Sequence, residues 1–498
     1  MEAPLIFRPD FGRGIGSGHV MRCLAFAQNW MAGGWPVSFV MSGQVAPLIE
    51  RLVKEGIQLI EVETAAGTSE DAERMVEIAT QQGARRVVLD GYSFNSAYQH
   101  RLKSAGLKVM LIDDCGYNDH CCADIIVNQN PHADSRLYSS REPDTRLLLG
   151  TEFVLLRNEF IDWENRRQKI RHRTNRVLVT FGGTDPQNLS AKALKSLRHL
   201  KVEGLSVILV GGRPENVGRL QDFKTTMVAD IEFIPRTDNM CRLMAWADVA
   251  LSAAGSTTWE LAYMGLPSVI IAAAENQRPI ASVLGDREMM LNLGWHESVT
   301  PRAIAGALDD LLQSVQLQRK FSNRAMGLVD GKGAQRLKNE ILSEDINLRP
   351  VDLDDADLLL EWANDPGTRA ASFSSEPISG SKHIRWLEKK LDDKDCYFFI
   401  AVDYQAIPIG QIRFDCEDRA AVISVSIAAQ YRGSGLGSPV IMAASRKILR
   451  IAPVDRIDAY VRADNEKSRR AFINAGYAQR DDLLVDEQPA LHLMYERS

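Results

Sequence analysis

The stretch "VALSAAGSTTWELAYMGLPSVIIAAAENQ", residues 249–277, holds two short apolar runs separated by a small-residue turn and a helical segment. Strand, helix and strand in that spacing form a crossover unit, the building block of a parallel sheet covered on both faces. The same texture recurs upstream in "PLIF" (4–7), "RVVLDGY" (86–92), "VMLIDD" (109–114), "IIVNQN" (125–130), "RVLVTFGG" (176–183), "LSVILVGG" (205–212) and "IEFIP" (231–235). These runs fall into two sets, divided by the charged, helical-looking stretch "LLRNEFIDWENRRQKIRHRTN" (155–175). The pattern predicts two Rossmann-like doubly wound α/β domains, 1–160 and 161–343, whose ligands sit beyond the carboxyl ends of the strands.

Near residue 346 the texture changes. "INLRPVDLDDADLLLEWANDP" reads as a strand and an amphipathic helix, and "DCYFFIAVD", "IPIGQIRFD" and "AAVISVSIAA" are strands spaced closely enough for an antiparallel meander. A third, mixed α/β domain is expected over 346–498. A chain of 498 residues is too long for one core, in keeping with several domains.

The formal net charge of −6 and the apolar fraction of 45% give no basic excess, which argues against nucleic acid as a partner. No apolar run reaches the roughly 20 residues of a spanning helix, and no basic stretch leads into an apolar one near residue 1, so the expectation is a cytoplasmic protein away from membranes. Seven irregularly spaced cysteines suit reduced thiols. "DDCGYNDHCCAD" (113–124) gathers Asp, Cys and His without a C-x₂-C pair, and its cysteines read as packing at a strand start, so no metal is expected.

"GIGSGHVMR" (14–22) departs from the G-x-G-x-x-G dinucleotide spacing. It reads as a turn in which Gly16 and Gly18 permit close backbone approach, followed by a helix starting near His19. Amides at such a start can hold a histidine neutral as a base; the alternative is a packing or capping histidine. "TFGGTDPQN" (180–188), with Gly182, Gly183 and Asp185, has the strand, turn and helix that present amides to a phosphate. In the opening stretch, Ser256 and Thr257 would face a diphosphate, and Glu260 could accept both hydroxyls of a ribose. Two such turns in one half, in one orientation, favour a nucleoside diphosphate.

Together with "LDGY", "IDD" and "GTEFVLLRNEF", these motifs resemble the UDP-sugar hydrolases of pseudaminic acid biosynthesis, within the GT-B glycosyltransferase superfamily, over residues 1–343. The resemblance implies metal-independent hydrolysis of UDP-2,4-diacetamido-2,4,6-trideoxy-beta-L-altropyranose to free sugar and UDP. It implies that His19 is the base for water within the motif that ends at Arg22. It also implies that Asp90 and Tyr92 lie beside the sugar and that Asn276 and Gln277 face sugar and phosphates. The rival within the same fold is a glycosyltransferase that passes the sugar to an acceptor. The sugar could equally be another diamino hexose, of legionaminic or bacillosamine type.

In the third domain "VSIAAQYRGSGLGSPVIMAASRKI" (425–448) sets a glycine-dense loop between strand and helix, matching Q/R-x-x-G-x-G/A, a pyrophosphate-binding spacing. With "RIDAYVRADN" and "EKSRRAFINAGY" it resembles the GCN5-related N-acetyltransferase (GNAT) superfamily, which implies acetyl-CoA as cosubstrate. By that resemblance Gln430, Arg432, Gly433, Gly435 and Gly437 hold the pyrophosphate, and Asn465 and Ser468 contact the pantetheine arm. Phe472 stands where many members carry the tyrosine that protonates the leaving thiolate, which leaves a CoA-binding but catalytically degenerate domain as an alternative. Paired with the hydrolase resemblance, the domain implies acetylation of the 4-amine of the preceding UDP-amino sugar. Between His383 and Glu361 the sequence does not select a base.

Overall fold

The computed structural model describes residues 4–11, 17–43, 46–163, 170–171, 174–212 and 230–496. The chain divides into two compact units, 2–334 and 335–498.

The first unit holds two parallel sheets. The first runs β3-β2-β1-β4-β5-β6-β7, from β1 (Leu5–Pro9), β2 (Val37–Ser42), β3 (Gln58–Val62), β4 (Arg86–Asp90), β5 (Lys108–Ile112), β6 (Ile125–Asn128) and β7 (Arg146–Leu149). The second runs β10-β9-β8-β11-β12-β13, from β8 (Arg176–Thr180), β9 (Ser206–Val210), β10 (Asp230–Ile234), β11 (Val249–Ala253), β12 (Ser268–Ala272) and β13 (Leu291–Trp295). Alternate side chains of these strands feed two separate cores. Leu178, Ile208, Ala250 and Ile270 pack on one face, and Val177, Leu209, Leu251 and Ile271 on the other. Burial on both faces is why these strands read as unbroken apolar runs. Strand order reverses between β1 and β4 in one sheet and between β8 and β11 in the other, the points at which sheets of this kind take ligands. Of the helical stretch expected over 155–175, the described part is one short helix, Asn158–Ile161, ending in a turn.

The second unit is a mixed sheet, β14-β15-β16-β17-β18-β20-β19. β14 (Asn347–Pro350), β15 (Cys396–Val402), β16 (Pro408–Glu417) and β17 (Ala420–Ile427) form the expected antiparallel meander. β18 (Arg456–Arg462) joins β17 in parallel, and β19 (Ala478–Val485) and β20 (Gln488–Glu496) complete the sheet. The helix Gly437–Ile451 buries Val440, Ile441, Ala444 and Ile448 on one face of the sheet. Arg446 on that helix ion-pairs with Glu340 and hydrogen-bonds Ser343, which ties the helix Gly333–Glu344 into this unit. Among the described residues no helix is long and apolar enough to cross a membrane, and all seven cysteines are free.

Candidate active sites

The first crevice is built at the ends of β1 and β4. His19 is the second residue of the helix Gly18–Met31 that follows β1; Gly16 lies outside the described residues. Asp90 closes β4, and its Oδ1 stands 2.7 Å from His19 Nδ1. Arg22, one turn along the helix, donates from Nε to Asp90 Oδ2 at 2.9 Å and from Nη2 to Asp90 Oδ1 at 2.6 Å. Its Nη1 reaches Asp114 Oδ1 at 2.7 Å. The i, i+3 spacing of His19 and Arg22 is what lets one carboxylate hold both.

The resemblance implies that Asp90 lies beside the sugar. Instead the side chain is fully buried, and its two oxygens are engaged by His19 and Arg22. Asp90 is a positioning residue behind the histidine. Burial would raise its pKa, but Arg22 and His19 outweigh this and hold it down at about 2. The expected lowering of the histidine pKa at its helix start is not what this site shows. Burial does pull the His19 pKa down, yet the Asp90 carboxylate more than offsets that, and the net shift is upward. With Nδ1 turned to Asp90, Nε2 is left to take a proton. Arg22, Asp90 and Asp114 together carry one net negative charge, so protonating His19 neutralises the cluster rather than charging it.

Asp114 is the last residue of the "IDD" motif. It accepts from Arg22, from Asn130 Nδ2 at 3.0 Å and from the Tyr92 hydroxyl at 3.3 Å. The signal for it was present as an acidic pair at the end of an apolar run, but Asp113 and Asp114 part company. Asp113 is capped by the amides of Cys115 and Gly116 and by the Tyr138 hydroxyl. Tyr92 is 47% exposed, stands edge-on to His19 with ring centroids 5.3 Å apart, and accepts from Asn276 Nδ2 at 2.9 Å. Tyr92 and Asn276 thus join the end of β4 to the turn after β12.

Opposite His19 stands the turn after β11. A Cβ on Gly18 would lie 3.7 Å from Ser256 Oγ, so the two helix starts face each other at close range. Ser256 is exposed, and the helix Thr257–Met264 that it precedes has no side-chain cap. The helices Gly18–Met31 and Gln277–Asp286 likewise start without one. Amide groups at uncapped starts suit an anion. Gln277 spans the strand ends: its Oε1 accepts from Ala273 N at 2.9 Å, and its Nε2 approaches Gly255.

Two expected ligand groups have other partners. Asp185, only 1% exposed, accepts from the amides of Leu189 and Ser190 at 2.8 Å each. The first amides of the helix Leu189–Leu197 are therefore met by the chain's own carboxylate, and the phosphate-cradle reading of "TFGGTDPQN" reduces to Gly182 and Gly183, which are exposed with no side chain crowding them. Glu260 receives Arg157 Nη2 on Oε1 at 2.7 Å. One of its oxygens is thus committed to Arg157, and burial raises the pKa of the carboxyl.

One group of three possible metal ligands stands close together among the described residues: His120, Cys122 and Glu142, with ligand atoms within 4.8 Å of one another. Spacing alone did not show it, because Glu142 comes from outside the cysteine motif.

In the second unit, a turn at Ala429–Tyr431 carries exposed Gln430 into a loop where Gly433 and Gly435 take φ of +83° and +87°. Only glycine adopts that backbone readily. Gly437 begins the helix Gly437–Ile451, which has no side-chain cap. Arg432 does not serve this loop with its side chain. Its guanidinium donates to Ile427 O, Asp365 and Thr368, which pins the helix Pro366–Ala371 to the end of β17. Asn465 accepts from Ser468 N at 3.1 Å as the cap of the helix Glu466–Asn474, so those two expected pantetheine contacts bond each other. Phe472 is 4% exposed, edge-on to Tyr477 in the core. His383 is 2% exposed, and burial lowers its pKa, while Glu361 is exposed.

Residues 176–336 match the family model described as glycosyltransferase family 28 C-terminal domain, and residues 345–478 that described as acetyltransferase (GNAT) domain. The chain is 24% identical over 235 residues to SpsG, a spore coat polysaccharide biosynthesis protein of Bacillus subtilis, covering 46% of this chain and 68% of that one. It is 21% identical over 385 residues, 75% of each chain, to an uncharacterized protein of Methanocaldococcus jannaschii. In fold it is similar to the crystal structure of Acinetobacter baumannii MurG, with a TM-score of 0.50 and 15% identity over 68% of this chain and 99% of that one. One polypeptide therefore joins a MurG-like pair of parallel sheets, the second of which matches the glycosyltransferase family 28 C-terminal model, to a mixed sheet that matches the acetyltransferase (GNAT) model.

Proposed function

We propose that the first unit hydrolyses UDP-2,4-diacetamido-2,4,6-trideoxy-beta-L-altropyranose, and that the second uses acetyl-CoA to acetylate the 4-amine of the UDP-amino sugar that precedes it. The observation that carries the reading is the Asp90–His19 pair, backed by Arg22 and Asp114, facing the uncapped helix start at Ser256 and Thr257. His19 takes a proton from water as the oxygen approaches the anomeric carbon. The departing diphosphate is met by the exposed amides and hydroxyls of the opposite turn, which stabilise developing negative charge without a cation. Tyr92 and Asn276 line the sugar side. In the second unit the glycine loop takes the pyrophosphate of acetyl-CoA. The similarity to SpsG, a spore coat polysaccharide biosynthesis protein, supports a nucleotide-sugar substrate.

The match to a glycosyltransferase family favours one other reading, transfer of the sugar to an acceptor hydroxyl. Turnover of the UDP-sugar alone in ¹⁸O-labelled water separates the two. Hydrolysis at carbon releases free sugar labelled at its anomeric hydroxyl, with unlabelled UDP. Label in UDP would move the cleavage to phosphorus, and no release without an added acceptor would favour transfer.

A further inference from the structure

β17 and β18 pair over only three residues, Ala420 with Arg456, Ala421 with Ile457 and Val422 with Asp458. Beyond Val422 and Asp458 the two strands no longer pair with each other, although β17 continues to Ile427 and β18 to Arg462. Ile427 lies a few residues before the Gly433–Gly437 loop. A strand rises about 3.3 Å per residue, so the four steps from Ile427 back to Ile423 span roughly 13 Å. That suits an extended pantetheine arm, whose amides can pair with a strand edge. A donor anchored at the loop and laid along β17 brings its thioester to the fork, beside Asp458.

Residues that pair across a sheet share a face, so Val422, Ser424 and Ser426 look the same way as Asp458 and Tyr460. His492, opposite Tyr460 on β20, belongs to that face too. It is the face away from the core built by Ile457, Ala459 and Leu493. Asp458 is 4% exposed, and its Oδ1 stands 2.8 Å from His492 Nε2, while Arg456 Nε donates to its Oδ2 at 2.8 Å. The Tyr460 ring stacks on the imidazole, with centroids 5.2 Å apart and planes at 21°. The histidine is thus fixed in plane and in tautomer, with Nδ1 left over. Ser372 and Phe373 cross above the same face, held by Arg462 and Gln488.

We propose that His492, oriented by Asp458, accepts the proton of the acceptor amine in acetyl transfer, a role that rests on the reading of this unit as an N-acetyltransferase. His492 Nδ1 takes one proton from the acceptor ammonium. The freed lone pair attacks the thioester carbonyl, the C–N bond forms, and the C–S bond breaks. The second nitrogen proton passes through solvent to the CoA thiolate, so amide, CoA thiol and histidinium are the products. Phe472 has no proton to give, and the thiolate of CoA leaves without one.

The groups that face His492 are Asp458 and Tyr460 from β18, with Arg456 behind Asp458, and Arg480 and Asp481, which occupy the bulge of β19 opposite it. The test measures CoA release from acetyl-CoA by the full-length chain and its His492→Gln and Asp458→Asn variants against pH. Acceptors are UDP-4-amino-4,6-dideoxy-N-acetyl-beta-L-altrosamine and a panel of simple primary amines. His492→Gln should lower kcat about 10²- to 10⁴-fold and abolish the acidic limb, with KM for acetyl-CoA unchanged. Asp458→Asn should also lower kcat and leave KM for acetyl-CoA unchanged. A His492→Gln protein that binds acetyl-CoA and keeps wild-type kcat and limb overturns the role of His492 alone. A wild type that binds acetyl-CoA yet releases no CoA with any amine overturns the acetyltransferase reading and the proposal with it.

Discussion

A proton on His19 Nε2 creates a cation whose other nitrogen lies 2.7 Å from a buried carboxylate, and under the proposed function that carboxylate sets both turnover and pH dependence. His19→Asn should still bind UDP and lose about 10²- to 10⁴-fold in turnover, read by isothermal calorimetry and UDP release. Because Asp90 raises the His19 pKa, hydrolysis should fall off in acid with a midpoint above the ordinary 6.5, and Asp90→Asn should shift that midpoint down. The same pair sets stability. Asp90 at about 2, against an ordinary 3.8, contributes stability that is present above 3.8 and lost as pH falls toward 2. The raised His19 contributes stability that is present below 6.5 and lost as pH rises through its folded value. Denaturant unfolding should therefore show this contribution greatest between roughly pH 4 and 6.5, and Asp90→Asn should flatten the profile. The sequence offered His19 and Asp90 as ligand-facing neighbours. That one stands behind the other depends on side-chain direction at the end of a strand, which motif spacing does not encode.

Helix starts separate structural from ligand-binding turns, and here sequence and structure diverge most. "TFGGTDPQN" and "SAAGSTT" read alike as strand, small turn and polar helix start. Yet Asp185 satisfies the amides of its own helix, whereas Ser256 caps nothing and is exposed. Asp185→Ala should cost about 0.5–2 kcal/mol of stability, as loss of a cap does, and leave UDP affinity unchanged. Ser256→Ala should leave stability unchanged and weaken UDP binding about tenfold or more, the loss of one hydrogen bond to a charged group. Strands buried on both faces were legible as apolar runs. β2, β3, β7 and β13 were not picked out, and the edge strand β19, "AQRDDLLV", gave no signal because its side chains are mostly exposed and polar. In the second unit the glycine loop was legible. Arg432 was not, because its guanidinium is claimed by Asp365, 67 residues earlier in the chain.

At the scale of the whole molecule, the proposed function gives the two units consecutive steps on one UDP-linked sugar. In the proposed sequence acetylation comes first, since hydrolysis of the unacetylated compound would release an amino sugar without the second acetamido group. The account therefore predicts that the first unit discriminates between the amine and the acetamide of its substrate. The most direct test incubates the purified full-length protein with UDP-4-amino-4,6-dideoxy-N-acetyl-beta-L-altrosamine, with and without acetyl-CoA, and follows UDP and sugar products by NMR. Free diacetamido sugar and UDP appearing only when acetyl-CoA is present is the predicted result. An acetylated UDP-sugar that accumulates uncleaved, or a substrate that stays unacetylated, would contradict it.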